Sequence, residues 1–106
     1  MREARIILAT ETRHNTPINA SIRALLQNKL ATAFGGYTET AGFGGYRMDS
    51  GDLKHELVLI YDVAIEPHHW PALTAIAMWL CHVADQETVY ARRDDGVVFF
   101  YDAGFR

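Results

Sequence analysis

Two side chains that can bind a cation flank the strongest turn signal in the sequence. Tyr46 precedes the segment DSGD at 49–52, and Glu56 follows it. A turn centred on the glycine of this segment predicts that Met48 faces Lys54 and that Tyr46 faces Glu56. Directly opposed residues on neighbouring strands share a face, with Cβ atoms about 4.5–5.5 Å apart. A phenol ring and a carboxylate side by side predict a site for a cationic ligand.

Three glycines, Gly42, Gly44 and Gly45, interrupt the extended stretch before this turn. Glycines in a strand predict a bulge or the close approach of another group. Their bare backbone would also let a flat ring lie against the strand. The alternative is a hydrogen bond between Tyr46 and Glu56 that only stabilises the hairpin, and the spacing alone leaves both interpretations open.

Other polar residues favour structural roles. His68 and His69 are adjacent, so on a helix their side chains point about 100° apart, which favours a solvated first turn over a metal pair. His55 flanks the hairpin pair, either as a supporting group or as an exposed strand residue. Arg13 and His14 lie in a polar segment that either closes over a ligand or is a solvated connection.

The composition is that of one small globular domain spanning residues 1–106. Hydrophobic residues make up 49% of the chain, which argues against disorder. The net charge of −3 disfavours a nucleic-acid partner, and no apolar run reaches the roughly 20 residues that a membrane span needs. The one cysteine, Cys81, excludes an internal disulfide and is expected to be a buried thiol. These features predict a cytoplasmic protein without a metal.

The apolar pattern predicts an alternation of strands and helices. A strand over 4–9 precedes a helix that Thr16-Pro17 begins and that Gly35-Gly36 ends. The predicted apolar face of this helix consists of Ile18, Ile22, Leu25, Leu26 and Ala33. The remaining predicted elements are an extended stretch over 37–48, a strand over 57–61, a helix from Glu66 to about Ala84, and short strands over 88–91 and 97–101.

This order predicts an α+β fold, the ferredoxin-like βαββαβ sandwich with a short extra C-terminal strand. The first and third strands, which are central in that fold, are apolar on both faces. Two helices cover only one face of the sheet, so the other face is exposed unless a second subunit covers it. We therefore expect a closed homo-oligomer, with a trimer as the first expectation. The alternative is a partly polar second face and a monomer or dimer.

Scattered residues along most of the chain resemble a known family. They are GYTET at 36–40, Gly45-Tyr46-Arg47, Glu56, Ala77-x3-Cys81-x4-Gln86-x2-Val89, and the strand GVVFFY at 96–101. The pattern is similar to that of the phage-encoded S-adenosylmethionine (SAM) lyases, formerly called SAM hydrolases. The resemblance implies a fold like that of the PII signalling proteins, a trimer, and active sites between subunits.

The resemblance also implies an enzyme and the residues of its site. The family's catalytic tyrosine and glutamate correspond to Tyr46 and Glu56, and the candidate substrate contacts are Thr38, Glu39, Phe43, Gly44, Gly45 and Arg47. In the implied reaction, the carboxylate of SAM attacks its own γ-carbon and releases 5′-methylthioadenosine and homoserine lactone, without a cofactor. In a phage, the purpose would be to deplete SAM in the host cytoplasm and so disarm restriction and methylation.

Two other classes of function remain open. A PII-like sensor would bind a nucleotide or SAM at the same interface without consuming it. A ferredoxin-like interaction domain, such as a phage protein that blocks a host factor, would have no small-molecule site. Turnover of SAM distinguishes the enzyme from both, and binding without turnover distinguishes the sensor.

Overall fold

The computed structural model describes residues 2–47, 50–86, 88–95 and 98–102, with the backbone alone at Tyr46 and in residues 98–102. In these ranges the elements are β1 (Arg2–Ala9), α1 (Ser21–Phe34), β2 (Thr38–Arg47), β3 (Leu53–Ile65), α2 (Trp70–Val83), β4 (Thr88–Arg93) and β5 (Val98–Asp102). A 3₁₀ turn, Pro67–His69, leads into α2. Neither described helix has both the length and the apolarity that crossing a membrane requires.

The strands form one sheet in the order β2-β3-β1-β4-β5, and every neighbouring pair is antiparallel. β1 to β4 and the two helices have the ferredoxin-like βαββαβ arrangement, and β5 adds a strand beside β4. The predicted fold class and extra strand are therefore confirmed. Gly96 and Val97, predicted to begin that last strand, lie outside the described residues.

The hydrophobic core lies between the two helices and one face of the sheet. Ile6 and Leu8 of β1, Leu26 and Leu30 of α1, and Leu80 of α2 are fully buried there. Full burial of an aliphatic side chain contributes about 1.5–3 kcal/mol. These contacts therefore fix which face of the sheet the helices cover, and they leave the other face to the odd-numbered residues of β1.

The predicted start of the first helix at Thr16 is wrong, because Thr16 forms a local turn with Thr12 instead. The Thr12 N–H donates to the Thr16 carbonyl at 2.7 Å, and their hydroxyl oxygens are 2.7 Å apart. α1 begins instead at Ser21, whose N–H and hydroxyl donate to Asn19 Oδ1 at 2.9 and 2.8 Å. The predicted end is confirmed, since Gly35 has a φ of 86° and caps the helix.

The entry into α2 gives His69 a structural role that sequence reasoning missed. Its Nδ1 accepts a hydrogen bond from the Glu66 N–H at 3.1 Å, and its ring centre lies 5.7 Å from that of Phe34. His68 is exposed, as expected of a solvated first turn. Near the other end of α2, Cys81 is fully buried, as predicted.

The face of the sheet that points away from both helices is called the open face. Its half-buried apolar side chains are Ile7, Val58, Ile60 and Tyr90. Ile7 lies opposite Ile60 on β3 and opposite Tyr90 on β4, so three of these residues form a row across the sheet. Because both described helices pack on the other side, this row contacts water in the single chain.

Candidate active site

The structure corrects the predicted pairing of β2 with β3 by two residues. Tyr46 lies opposite Lys54 rather than Glu56, and Glu56 lies opposite Gly44. Met48, the predicted partner of Lys54, lies outside the described residues. A shift of two residues keeps every position on its face of the sheet. Tyr46 and Glu56 are therefore still same-face neighbours, on a diagonal with Cα atoms about 7–8 Å apart.

A turn centred on residue 50 instead of residue 51 explains this shift. Arg47 pairs with Leu53, so residues 48–52 connect the two strands. Gly51 has a φ of 92° and lies after the middle of this connection, not at it. The Arg47 guanidinium donates to the Gly51 carbonyl at 2.7 Å and so ties the turn to the end of β2.

Two of the glycines of β2 form a strip beside Glu56, which we call the glycine strip. The pairing with β3 is unbroken along the whole strand, which excludes the bulge and leaves the close approach of another group. Gly42 and Gly44 belong to the open face. A Cβ at Gly42 would lie 3.3 Å from Cδ1 of Ile60, so this glycine admits a close approach, whereas a Cβ at Gly44 would make ordinary contact with Val58 at 3.6 Å. The surface of β2 directly opposite Glu56 is therefore backbone without a side chain.

The Glu56 carboxylate is held by the loop of residues 10–20, which joins β1 to α1. The Glu11 N–H donates to Glu56 Oε1 at 3.1 Å. The Thr10 hydroxyl donates to the Leu57 carbonyl at 2.7 Å, which fastens the loop to β3 beside Glu56. An ionised carboxylate has about four acceptor sites. A half-buried Glu56 with its position fixed in this way has acceptor capacity for the N–H groups of a bound ammonium.

The charges around Glu56 favour a cationic ligand. The Lys54 ammonium donates to Asn15 Oδ1 and lies 3.8 Å from Glu11 Oε2. Two carboxylates, those of Glu11 and Glu56, thus share this end of the open face with one ammonium. The excess of one negative charge attracts a cation, and the attraction strengthens when the site is shielded from water.

Arg13 and His14 belong to the same loop but lie apart from Glu56. Arg13 Nε donates to Asp85 Oδ1 at 2.8 Å, which fastens the loop to the turn after α2. His14 is 66% exposed. His55 is an exposed residue on the reverse side of the hairpin from Glu56, in agreement with the plainer of its two predicted roles.

Most of the predicted substrate contacts lie away from Glu56 in the single chain. On the reverse side of β2 lie Glu39, Phe43, Gly45 and Arg47. Phe43 is 82% exposed there. Thr38 shares the side of Glu56, as alternation with Glu39 predicted, but it lies six residues from Gly44, about 20 Å along the strand. The structure thus brings together Gly44, Glu56 and the backbone of Tyr46, and separates the rest.

Glu39 is engaged by α1 and by the core. Arg23 donates to its two carboxylate oxygens at 2.8 and 2.5 Å, and the Tyr61 hydroxyl and the Gln27 amide donate to Oε1 at 2.5 and 3.2 Å. The Arg23 and then the Tyr61 hydrogen bonds lower the pKa of Glu39 to about 2. Burial, followed by the bond to Glu39, raises the pKa of Tyr61 above its usual value. Glu39 therefore joins β2 to α1.

We expect Glu39 to make the fold sensitive to acid. Its folded pKa of about 2 lies below the ordinary value of 4.5, so the ionised carboxylate stabilises the fold above pH 4.5, and this contribution is lost as the pH falls towards 2. After allowance for solvent screening, the expected loss is about 1–2 kcal/mol in the free energy of unfolding.

Urea unfolding from about pH 6 down to pH 2.5 measures this loss. Glu39→Gln is expected to flatten the pH dependence of stability over this range. Glu3→Gln removes an exposed carboxylate of β1 and is expected to leave it unchanged. If the free energy of unfolding depends on pH equally in the wild type and in Glu39→Gln, the lowered pKa is wrongly assigned to Glu39.

Comparison with known proteins identifies the fold. No protein-family model matches the chain, and no curated protein matches it in sequence. A phage SAM lyase in complex with S-methyl-5′-thioadenosine matches with a TM-score of 0.74 and 17% identity, over 99% of this chain and 92% of that chain. A phage SAM lyase in the apo state matches with the same TM-score and identity, over 99% and 91%. The chain has the fold of a phage SAM lyase.

The resemblance to the SAM lyases is thereby confirmed at the level of the fold. Sequence reasoning missed Glu11, the residue that holds Glu56 in this SAM lyase fold. Ala9 pairs with Val58, so the chain two residues beyond Ala9 lies level with Glu56. That signal becomes visible only when the register between β1 and β3 is known.

Proposed function

We propose that this protein is a SAM lyase. The observation that supports it is the likeness of 99% of the chain to a phage SAM lyase structure that holds S-methyl-5′-thioadenosine. In the proposed reaction, a carboxylate oxygen of SAM forms a bond to the γ-carbon of the same molecule. The bond between that carbon and the sulfonium sulfur breaks, and the sulfur keeps its electron pair. The products are 5′-methylthioadenosine and homoserine lactone, with no other reactant.

In this proposal, Glu56 binds the substrate ammonium. SAM has a sulfonium, an ammonium and a carboxylate, so its net charge is positive and complements the excess negative charge of Glu11, Glu56 and Lys54. The position of Glu56 beside the glycine strip would place the ammonium at one end of the open face. Tyr46 would cover the reacting carbon and exclude water.

The enzyme would accelerate the reaction by positioning. The nucleophile and the leaving group are in the same substrate molecule, so the protein needs to hold the methionyl chain in a bent, near-attack conformation. In ideal intramolecular reactions such positioning lowers the barrier by about 7–11 kcal/mol. Removal of water from the attacking carboxylate would contribute further, because fixed protein groups replace its hydration shell.

We further propose a trimer with its sites between subunits. The row of Ile7, Ile60 and Tyr90 on the open face supports an assembly, because contiguous exposed apolar surface marks interaction sites. A cyclic assembly pairs different surfaces of neighbouring copies. Such an assembly would bring the surface of a second copy over the substrate that Glu56 binds. The proposed setting is the host cytoplasm, where loss of SAM would weaken restriction.

The test is incubation of the purified protein with SAM in a buffer that contains a chelator. Chromatography with mass detection follows 5′-methylthioadenosine and homoserine lactone, and a protein-free sample at the same pH gives the background. Formation of both products in equal amounts above background supports the lyase. Binding of SAM without products would indicate the sensor, and neither binding nor products would indicate an interaction domain.

A pair of glycine variants tests the position of the site on the hairpin. Gly44→Val adds a side chain to the strip beside Glu56, whereas Gly45→Val adds the same side chain to the reverse side. Both positions leave ordinary contact distances for a Cβ, and valine suits a strand. We expect Gly44→Val to raise KM for SAM at least about tenfold, a loss of roughly 1.4 kcal/mol in binding.

Gly45→Val is the matched control, and in the protomer that contains Glu56 it changes the opposite surface. We expect its KM to stay within about threefold of the wild type. Thermal unfolding of both variants checks that neither has lost its structure. A KM that rises equally in both variants would contradict a site on the open face.

A further inference from the structure

The loop that holds Glu56 is fastened at a second point, far from Glu56 in sequence. Gln86, in the turn between α2 and β4, is 7% exposed and is the buried polar residue among those the structure describes. Its side-chain amide donates to the Glu11 carbonyl at 2.6 Å and to the Ala84 carbonyl at 3.2 Å. A buried amide that loses its hydrogen-bond partners is destabilising, so this contact constrains the loop strongly.

The same residue of the loop therefore has both of its backbone groups engaged. The Glu11 carbonyl accepts from Gln86, and the Glu11 N–H donates to Glu56 Oε1 at 3.1 Å. A line of hydrogen bonds thus runs from the Gln86 side chain, through the backbone of Glu11, to the Glu56 carboxylate. The backbone of Glu11 is held in place, because a rotation of its peptide groups would break one of these two hydrogen bonds.

The turn that contains Gln86 is itself fixed. The Gln86 N–H donates to the Cys81 carbonyl at 2.9 Å, in the last turn of α2. Beside it, Asp85 receives two bonds from Arg13 of the loop, one from the backbone N–H and one from Nε, both at 2.8 Å. The loop is thus attached to the packed end of α2 by a buried tie at Gln86 and a more exposed tie at Asp85.

We propose that Gln86 is a positioning residue that acts through Glu11 to orient the Glu56 carboxylate toward the substrate ammonium, with support from the Arg13–Asp85 pair. The role in catalysis rests on the proposed function. A displacement of about 1 Å at a positioning group can cost on the order of 100-fold in rate. Without Gln86, the Glu56 carboxylate would no longer be oriented toward the substrate ammonium. The contacts of the adenosine part of the ligand would be unaffected.

Gln86→Met is the direct test, because methionine has a similar length but cannot donate a hydrogen bond. Two ligands separate the two parts of the site. S-adenosylhomocysteine has the ammonium, and S-methyl-5′-thioadenosine does not. By calorimetry, we expect Gln86→Met to lower the affinity for S-adenosylhomocysteine at least about tenfold. The affinity for S-methyl-5′-thioadenosine is expected to change less than about twofold. Equal losses for both ligands, or no loss for either, would overturn the proposal.

Gln27→Met is the matched control. Gln27 is also a partly buried amide that donates to a glutamate, but its partner is Glu39 on the other side of the sheet. We expect both ligand affinities to remain within about twofold of the wild type. A double-mutant cycle with Glu56→Ala supplies a further check. If Gln86 acts through Glu56, Gln86→Met adds little to the loss of S-adenosylhomocysteine binding in that background.

A measurement without ligand separates this proposal from the proposed function. Amide hydrogen exchange at Glu11 is expected to accelerate at least about tenfold in Gln86→Met, because the loop is released from one of its ties. This result would support the positioning role even if the wild type does not cleave SAM. Unchanged exchange at Glu11 would overturn it even in an active enzyme.

If Gln86→Met fails to fold, Arg13→Met provides the same test, because it removes the more exposed attachment of the loop, the contact between Arg13 and Asp85. Arg13 is an exposed residue, so its replacement leaves the core intact. We expect faster exchange at Glu11 and a selective, smaller loss of S-adenosylhomocysteine affinity. The absence of both effects would count against attachment of the loop as the means of orienting Glu56.

Discussion

Glu56→Gln is expected to lower kcat/KM for SAM by at least about 100-fold, which corresponds to roughly 2.7 kcal/mol of transition-state stabilisation. The substitution removes the charge that attracts the substrate ammonium but changes the volume very little. The amide oxygen can still accept the hydrogen bond from the Glu11 N–H, so the loop should stay in place. The loss of activity is therefore expected to exceed the loss of stability by a wide margin.

The measurement is the rate of 5′-methylthioadenosine formation together with the thermal unfolding curve of each variant. Glu3→Gln is the charge-matched control, and its kcat/KM should stay within about twofold of the wild type. A Glu56→Gln enzyme within tenfold of the wild type would contradict the role of the carboxylate. Turnover that persists in Tyr46→Phe/Glu56→Gln would place the reaction elsewhere in the molecule.

The second large effect is expected from Ile60→Asp on the open face. Ile60 lies in the middle of the sheet between Thr40 of β2 and Ile7 of β1. A charge buried in an apolar interface without a partner costs several kcal/mol, so the assembly should dissociate. If the sites lie between subunits, activity should be lost at the same protein concentration.

Light scattering after size exclusion measures the mass, and circular dichroism checks that the single chain remains folded. Leu25→Asp is the control, because Leu25, although predicted on the apolar face of its helix, is 50% exposed on α1, on the other side of the sheet. That variant should keep the mass and the activity of the wild type. If Ile60→Asp is monomeric but fully active, the site is complete in one chain. A wild type that is already a monomer would contradict the trimer.

The fold could be predicted because burial leaves a direct trace in the sequence. The apolar runs in β1 and β3 mark them as interior strands, and the glycine at position 35 marks the end of α1. The start of α1 could not be predicted in the same way. Thr16 suits a helix N-cap as well as the turn that it forms with Thr12, and only the contacts of the loop decide between them.

The candidate site could be predicted as far as alternation allows. Tyr46 and Glu56 share a face under any even shift of register, so that part of the prediction was robust to the wrong turn. The centre of the turn depends on where the pairing of the two strands stops, and composition does not determine it. Glu11 and Gln86 were invisible as partners of Glu56, because their proximity arises from tertiary packing between the first loop and the end of α2.

Because Cys81 is buried, the rate at which a thiol reagent modifies it measures how often α2 opens. The chain has one cysteine, and its side chain is fully enclosed beneath the helix. A thiol reagent can modify it only during excursions in which α2 lifts from the sheet. Because the Cys81 carbonyl also receives the Gln86 N–H, the labelling rate reports on the same end of the helix that anchors the loop over Glu56. The wild-type sequence thus already contains a site-specific reporter.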